Sequence, residues 1–348
     1  MMKKDSKVLI IGGGFAGARV AQDLAKAGFN HVTLVDKKDY FEVTYAALRT
    51  LAQPELGLRS RLPYAKFIQG HFHQGEVATL APNHAELTDG SRLEFDVAVI
   101  ASGSSYASLP LAKSQQAMQL SEREIELIDA NQTLVQANNV LIIGGGIVGV
   151  ELAGEIADHH PDKKVTLVHG GARLVPELSE KAAKVADKQL RKLGVHLIYN
   201  KRLTDQDPLL DQANLVYTCA GVTPNTDIMS QHFGHTLDDQ SRLKVDGHFR
   251  VEGTQHLFAL GDCANVPEGK LGYLADQQAN ALAKTLIALS DSKSPKAYKP
   301  NPMMALVPVG QQQGLVQLPF MVTTMNLMVN MKQKDMFILK SYKNLRAH

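Results

Sequence analysis

A single pattern, written twice, restricts this chain more than anything else in it. Val8-Leu9-Ile10-Ile11 runs into Gly12-Gly13-Gly14-Phe15-Ala16-Gly17, and Val140-Leu141-Ile142-Ile143 runs into Gly144-Gly145-Gly146-Ile147-Val148-Gly149. Both fit G-x-G-x-x-G behind four aliphatic residues. Both precede an apolar-periodic stretch, Ala18 to Ala27 and Val150 to Ala157, so each predicts a buried strand, a tight turn and a helix. In such a turn the glycines let the chain reverse, let a pyrophosphate approach the backbone, and let helix and strand close up. The phosphates then rest on a helix N-terminus. Gly12, Gly14, Phe15, Ala16 and Gly17 are therefore candidate contacts for one dinucleotide, and Gly144, Gly146, Ile147, Val148 and Gly149 for a second.

The strand after each turn distinguishes the two. Val32-Thr33-Leu34-Val35 ends at Asp36, nineteen residues past Gly17 and just ahead of Lys37. A carboxylate there can accept hydrogen bonds from both ribose hydroxyls of an adenosine. Val165-Thr166-Leu167-Val168 ends instead at His169, twenty residues past Gly149. A carboxylate about 4 Å from a 2′-phosphate would cost on the order of 1 to 4 kcal/mol at protein-surface dielectrics. Without one, NADPH is admitted alongside NADH, and Arg173 could pair with the phosphate. Plain solvated loop positions account for His169 and Arg173 equally well.

With 348 residues there is room for two domains and an appendage, each with its own core. The net charge of +2, without a basic run interleaved with aromatics, argues against nucleic acid as a partner. Cys219 and Cys263 are too far apart for a C-x-x-C pair, which removes a dithiol relay. His71-x-His73 and His159-His160 lack further partners at ligand spacing, so no metal site is expected. Lys3 to Ser6 lead straight into the first strand with no room for a signal peptide, and no apolar run reaches the ~20 residues needed to span a bilayer. The expected location is cytoplasmic.

Along the chain, an alternating run around Glu76-Val77-Ala78-Thr79-Leu80 precedes a hairpin turn at Asp89-Gly90, and Val77 is counted with the first crevice. The strand Val97 to Ile100 leads into Ala101-Ser102-Gly103. The strand Leu215 to Thr218 leads into Gly221 in a similar pattern, and Leu257 to Leu260 ends at Gly261-Asp262. Helices are expected over Glu122 to Gln136 and from about Tyr273 to Leu289. The order predicts an α/β chain of two Rossmann-like dinucleotide-binding domains, with 113–244 inserted between 1–112 and 245–298. Pro295, Pro300 and Pro302 mark off a small C-terminal segment, 299–348.

Together these motifs resemble the pyridine-nucleotide-disulfide-reductase-like flavoproteins over essentially the whole chain. Several stretches are similar to the ferroptosis-suppressor and apoptosis-inducing-factor-like NAD(P)H:quinone reductases within them: Leu34-Val35-Asp36 with Ala46-Ala47-Leu48-Arg49, Gly149-Val150-Glu151, Val165 to His169, Tyr273-Leu274-Ala275 and Lys334-Asp335-Met336-Phe337. The resemblance implies FAD in the first crevice and NADH or NADPH in the second. It makes Ala101-Ser102-Gly103 the turn crossing between domains, with serine in place of the usual threonine, and sets Asp262 on the flavin ribityl chain. It also places Glu151 beside the nicotinamide, Lys332 close to the flavin and Arg49 on FAD. Each has a plainer reading. An acid on the first turn of a helix is favoured by the macrodipole without any catalytic duty. Lys332 equally suits a solvated tail, and Arg49 a salt bridge. Tyr273, Leu274 and Ala275 open a helix whose backbone N–H groups could face the flavin pyrimidine ring.

Seven of the eleven methionines fall in the last 46 residues, with Met321, Met325, Met328 and Met331 at three- to four-residue spacing. Such a face is soft and apolar. Its basic continuation, Lys332, Lys334, Lys340, Lys343 and Arg346, suits an anionic membrane surface, where a lipid-soluble quinone would be met. Packing on the first domain, or across a homodimer interface, uses the same face equally well. No glycine follows Met1 for myristoylation, so any peripheral membrane contact would be weak. A ubiquinone- or menaquinone-like acceptor is expected. A ferredoxin or rubredoxin reductase, and a redox-sensing scaffold resembling apoptosis-inducing factor, are the alternatives.

Overall fold

In the computed structural model, which describes residues 2–106 and 108–347, Val8–Ile11 is the central strand of a five-stranded parallel sheet. The strand order is 257–259, 97–100, 8–11, 32–36, 71–74. All four residues of Val8–Ile11 are buried, as a strand covered on both faces requires. The second aliphatic run is an inner strand of a four-stranded parallel sheet ordered 196–198, 164–168, 139–143, 215–218, with Val140, Leu141 and Ile142 buried and Ile143 half-buried. In each sheet the central strand lies between the one leading to Asp36 or His169 and the one leading to Ala101 or Cys219. The strand order therefore reverses beside each glycine turn, at the switch point where α/β sheets bind ligands.

Helix α1 (Phe15–Lys26) follows the first turn, and α2 (Thr44–Ala52) lies further along the same unit. Helix α3 (Ile147–His159) follows the second turn, and α4 (Gly272–Ser290) packs along α1. Residues 104–106 pair antiparallel with 222–224, a two-strand bridge between the units. Beyond this bridge Met229, Phe233 and Leu243 enter the first core. The chain thus returns to the first unit earlier than the expected boundary at 244.

The C-terminal segment forms a three-stranded antiparallel sheet, 305–309, 313–318 and 321–323, then α5 (Asn326–Gln333) and a last helix, Ile338–Leu345. Val307, Val309, Leu315 and Val322 complete the second core, whereas Met336, Ile338 and Leu345 complete the first. One segment thus clamps both units. Its sheet reaches α3 through Gly154, where a Cβ would lie 2.7 Å from the Gly310 nitrogen and 2.9 Å from Val309 Cα. The expected helical methionine face is not one element. Leu318 pairs with Met321 and keeps the chain extended to Thr323, Met325 caps α5, and only Met328 and Met331 lie within it. Strand pairing overrides the spacing here, although Met321, Met325 and Met331 remain exposed beside Phe320 and Leu327.

Candidate functional site

A cavity of about 1140 Å³ runs from the first glycine turn past residues 101–104 and 261–262 to the start of α4, and on to α5 and Phe337. Gly12, Gly14, Phe15 and Ala16 line it from the first turn, and Ile147, Val148 and Glu151 from α3. Both dinucleotide motifs therefore face one space. Gly17 and Gly149 lie under their turns, where a Cβ would sit 1.8 Å from the carbonyl oxygen of Gly12 or Gly144. Gly144, Gly146, Gly221, His169 and Arg173 lie outside this cavity.

Beside the first glycine turn, Asp36 accepts hydrogen bonds from the N–H groups of Gly13 (2.6 Å) and Lys38 (2.8 Å). Burial pushes its carboxyl up, and those two donors oppose the shift. Lys37 and Val77 line the same region, with Lys37 Nζ 3.2 Å from Glu76. His169 occupies the equivalent place in the second repeat and accepts from the Gly145 N–H at 3.1 Å through Nδ1. Desolvation pushes its pKa down, which favours the neutral ring that this bond needs. Arg173 donates to the carbonyls of Leu178 (2.8 Å) and Pro176 (2.9 Å). Its guanidinium braces a loop, which makes the expected 2′-phosphate contact conditional on breaking those bonds.

Ala101, Ser102, Gly103, Gly261 and Asp262 lie together on the cavity wall. Asp262 accepts from Ser104 Oγ (2.6 Å) and pairs with Lys113 Nζ (3.1 Å). Burial alone would raise its carboxyl, but Lys113 and Ser104 outweigh that and hold it below the ordinary value. Sequence reading missed Lys113, since no local pattern ties it to an aspartate 149 positions away. Tyr273 and Ala275 line the cavity at the start of α4. Leu274 does not: it is fully buried in the core, and its N–H is spent on the Leu271 carbonyl. Gly272, Tyr273 and Ala275 thus remain as residues of that helix end that face the space.

The expected catalytic pair is in direct contact. Lys332 Nζ, on α5, lies 2.7 Å from Glu151 Oε1, which sits just beyond the first turn of α3 rather than on it as expected, and 3.2 Å from the Leu306 carbonyl. Both residues are buried, at 7% and 6% exposure. The ammonium stands 5.7 Å from the ring centroid of Tyr45, which itself stacks on Phe15. Burial raises the Glu151 pKa, and Lys332 pulls it back. In Lys332→Met the opposing cation is gone, so the apparent pKa governing NADH-dependent bleaching of the flavin moves up. A pH series of bleaching rates that shows no shift, or a downward one, rejects the coupling.

Arg49 does not reach the cavity, contrary to the expected FAD contact. It is buried and donates to both Glu155 carboxylate oxygens, to the Gln333 carbonyl (2.8 Å) and to the Gly310 carbonyl (3.1 Å). The salt bridge is the reading the structure supports: the guanidinium is spent on Glu155, Gln333 and Gly310 and does not line the cavity, although Tyr45, one turn earlier on α2, does.

The residues present suit FAD. Asp36 offers a ribose acceptor, and α1 and α4 begin without an acid in the first turn or a side-chain cap, leaving their N–H groups for pyrophosphate and pyrimidine oxygens.

The pyridine nucleotide-disulphide oxidoreductase family matches residues 6–284. The chain is 33% identical to apoptosis-inducing factor homolog B of Dictyostelium discoideum, covering 97% of this chain and 96% of that protein. It is 29% identical to ferroptosis suppressor protein 1 of Homo sapiens, covering 97% and 95%. In fold it is similar to the sulfide:quinone oxidoreductase of Aquifex aeolicus, with a TM-score of 0.78 at 16% identity over 97% of this chain and 92% of that one. NDH2 from Plasmodium falciparum, solved in complex with NADH, gives 0.77 at 16% identity over 98% and 97%. The family match spans both glycine turns, and the chain belongs to the pyridine nucleotide-disulphide oxidoreductase family as a flavoprotein that uses FAD and NAD(P)H.

Proposed function

We propose that the protein oxidises NADH or NADPH and delivers the electron pair to a lipid-soluble quinone. The carrying observation is the buried Glu151–Lys332 pair, at the point where the second motif, the first motif and the C-terminal segment meet. FAD, held by the residues of the first crevice, would supply the two-electron chemistry between nucleotide and acceptor. Ile147 and Val148 bring the nucleotide end of α3 to the cavity wall, so that geometry rather than a general acid governs the hydride step. Reducing a quinone to its quinol consumes one proton beyond the transferred hydride. The Glu151 carboxyl or the Lys332 ammonium can hold it, 2.7 Å apart and away from bulk water.

Two features support the acceptor. Leu306, Val316, Leu318 and Phe337 give the cavity an apolar wall at the C-terminal end. Both cysteines are free and buried, and neither lines the cavity, so no thiol relay stands between flavin and acceptor. Stopped-flow reduction of the yellow protein by NADH and by NADPH, followed by reoxidation with soluble ubiquinone or menaquinone analogues or with ferredoxin, tests it. Expected are rapid quinone reoxidation and use of both nucleotides within a hundredfold. Fast transfer to ferredoxin with slow quinone turnover would replace this reading.

Among the described residues no helix is long and apolar enough to cross a membrane. Contact with the cytoplasmic face of a membrane would instead use Phe320 (99% exposed) and Leu327 (78%), with Met331 and Lys334 following Leu327 along α5. Lys340 and Lys343 are also exposed, whereas Lys332 and Arg346 are committed to Glu151 and Asp23. Replacing Phe320 with Ser should lower co-sedimentation with phosphatidylserine-rich vesicles about tenfold. Unchanged sedimentation would remove the membrane from the proposal.

A further inference from the structure

The two glycine turns share one fold but differ in what sits on their helix ends. In the first, the Gly13 N–H is taken by Asp36 and the Gly13 carbonyl by the Tyr64 hydroxyl (2.9 Å). Among the described residues no side chain accepts from the N–H of Phe15, the first residue of α1. In the second, the Gly145 N–H is taken by His169 and the Gly145 carbonyl by the Val175 N–H (2.7 Å). Here the N–H of Ile147, the first residue of α3, is also taken: Glu177 Oε1 accepts it at 2.9 Å.

A pyrophosphate on a G-x-G-x-x-G turn binds through such N–H groups at the start of the helix. We propose that Glu177 is an internal competitor for the phosphate seat of the second crevice and thereby sets the affinity for NAD(P)H. The inference rests on NAD(P)H binding at that crevice. Glu177 offers what a nucleotide phosphate offers, an anionic oxygen on the Ile147 N–H within the positive field of the α3 N-terminus. Both cannot hold that donor, and two anions side by side repel, so the carboxylate must leave as the pyrophosphate arrives.

The loop that presents Glu177 is built to hold it there. Arg173 donates to the carbonyls of Pro176 and Leu178, on either side of Glu177. Val175 is anchored to Gly145 with φ at +42°, a left-handed conformation that a β-branched residue adopts only when its surroundings impose it. Leu178 N–H closes the turn on the Val175 carbonyl at 2.8 Å. The Glu177 side chain itself is exposed, so water is ready to receive it when it is displaced.

The competition acts at the pyrophosphate, which NADH and NADPH share, so it raises both dissociation constants alike. The test is calorimetric titration of the FAD-loaded protein, oxidised, with NAD+ and with NADP+. Glu177→Gln and Glu177→Ala should each tighten both ligands about three- to tenfold, a charge-assisted hydrogen bond discounted for exposure. Glu180→Gln, an exposed acid paired with Lys184 outside the crevice, should leave both values unchanged. It separates displacement at Ile147 from a general loss of negative charge. Weaker binding in the Glu177 variants would make Glu177 a ligand of the nucleotide rather than its competitor, and equal binding would make it a bystander; either overturns the inference. Failure of the wild-type protein to bind either nucleotide would instead count against the crevice assignment itself.

Discussion

Gly149→Ala should yield a protein that keeps its flavin and can no longer be reduced by NADH at a useful rate. The added Cβ would lie 1.8 Å from the Gly144 oxygen and 3.0 Å from its carbon, both backbone atoms that no rotamer change can move. Relief requires α3 to back away from the turn by the order of an ångström, taking with it the helix end that seats the pyrophosphate and the Glu151 carboxylate that faces the cavity. A misplacement of about 1 Å costs on the order of a hundredfold in rate, and kcat/KM for NADH should fall by at least that much. FAD stoichiometry stays at the wild-type value, because the first crevice is formed by a separate sheet. Gly17→Ala is the mirror experiment, with the same 1.8 Å overlap against Gly12, and should give a colourless protein. If Gly149→Ala were reduced within a few-fold of wild type, the second turn would not be where the hydride donor binds.

Arg49→Met should be the most destabilising single change among those discussed, at about 3 to 5 kcal/mol, the usual result of stripping one partner from a buried ion pair. Arg49 is 4% exposed and joins four places: its own α2, Glu155 on α3, Gly310 after the first C-terminal strand, and Gln333 at the end of α5. Without the guanidinium, the Glu155 carboxylate stays buried, and the ion pair left to it among the described residues is with His159, whose Nδ1 is 3.6 Å from it. Arg49→Met with Glu155→Leu removes both charges and should recover most of the loss, since a well-packed apolar pair is often as stable as a buried ionic one. Urea titrations followed by flavin release would read both. A single variant within about 1 kcal/mol of wild type, less than an average core change, would show that the network does not hold the segments together. Because Gln333 follows Lys332 and Glu155 lies one turn after Glu151, the same loss should also slow quinone turnover by loosening the cavity pair.

The parts of this molecule that were legible in the sequence are local ones. Val8–Ile11 and Val140–Ile143 announce themselves as strands buried on both faces by four consecutive aliphatic residues, and the glycines behind them admit a turn that other residues cannot make. Asp36 and His169 were found by counting to the end of the next strand. The methionine spacing over 321–331 was misleading for the opposite reason. A three- to four-residue repeat describes a helix only where nothing stronger intervenes, and pairing of 321–323 with the neighbouring strand intervened. Leu274 sat in a correctly expected helix, but spacing alone did not reveal that its side chain turns to the core.

The contacts that assemble the site are long-range. Glu151 and Lys332 are 181 positions apart, Arg49 and Glu155 106, and Lys113 and Asp262 149. Family resemblance pointed to Glu151 and Lys332 separately, and nothing in their local sequence says that they touch. Glu177 lay in a stretch read only for its histidine and arginine. The chain alone therefore determined that there are two nucleotide crevices and which segments build them, because strand, turn and helix arise from neighbours in sequence. Tertiary structure decided which charges face the cavity and which are consumed inside the protein. A buried ion must find a partner or pay for its desolvation, and that partner is chosen by how the three segments pack.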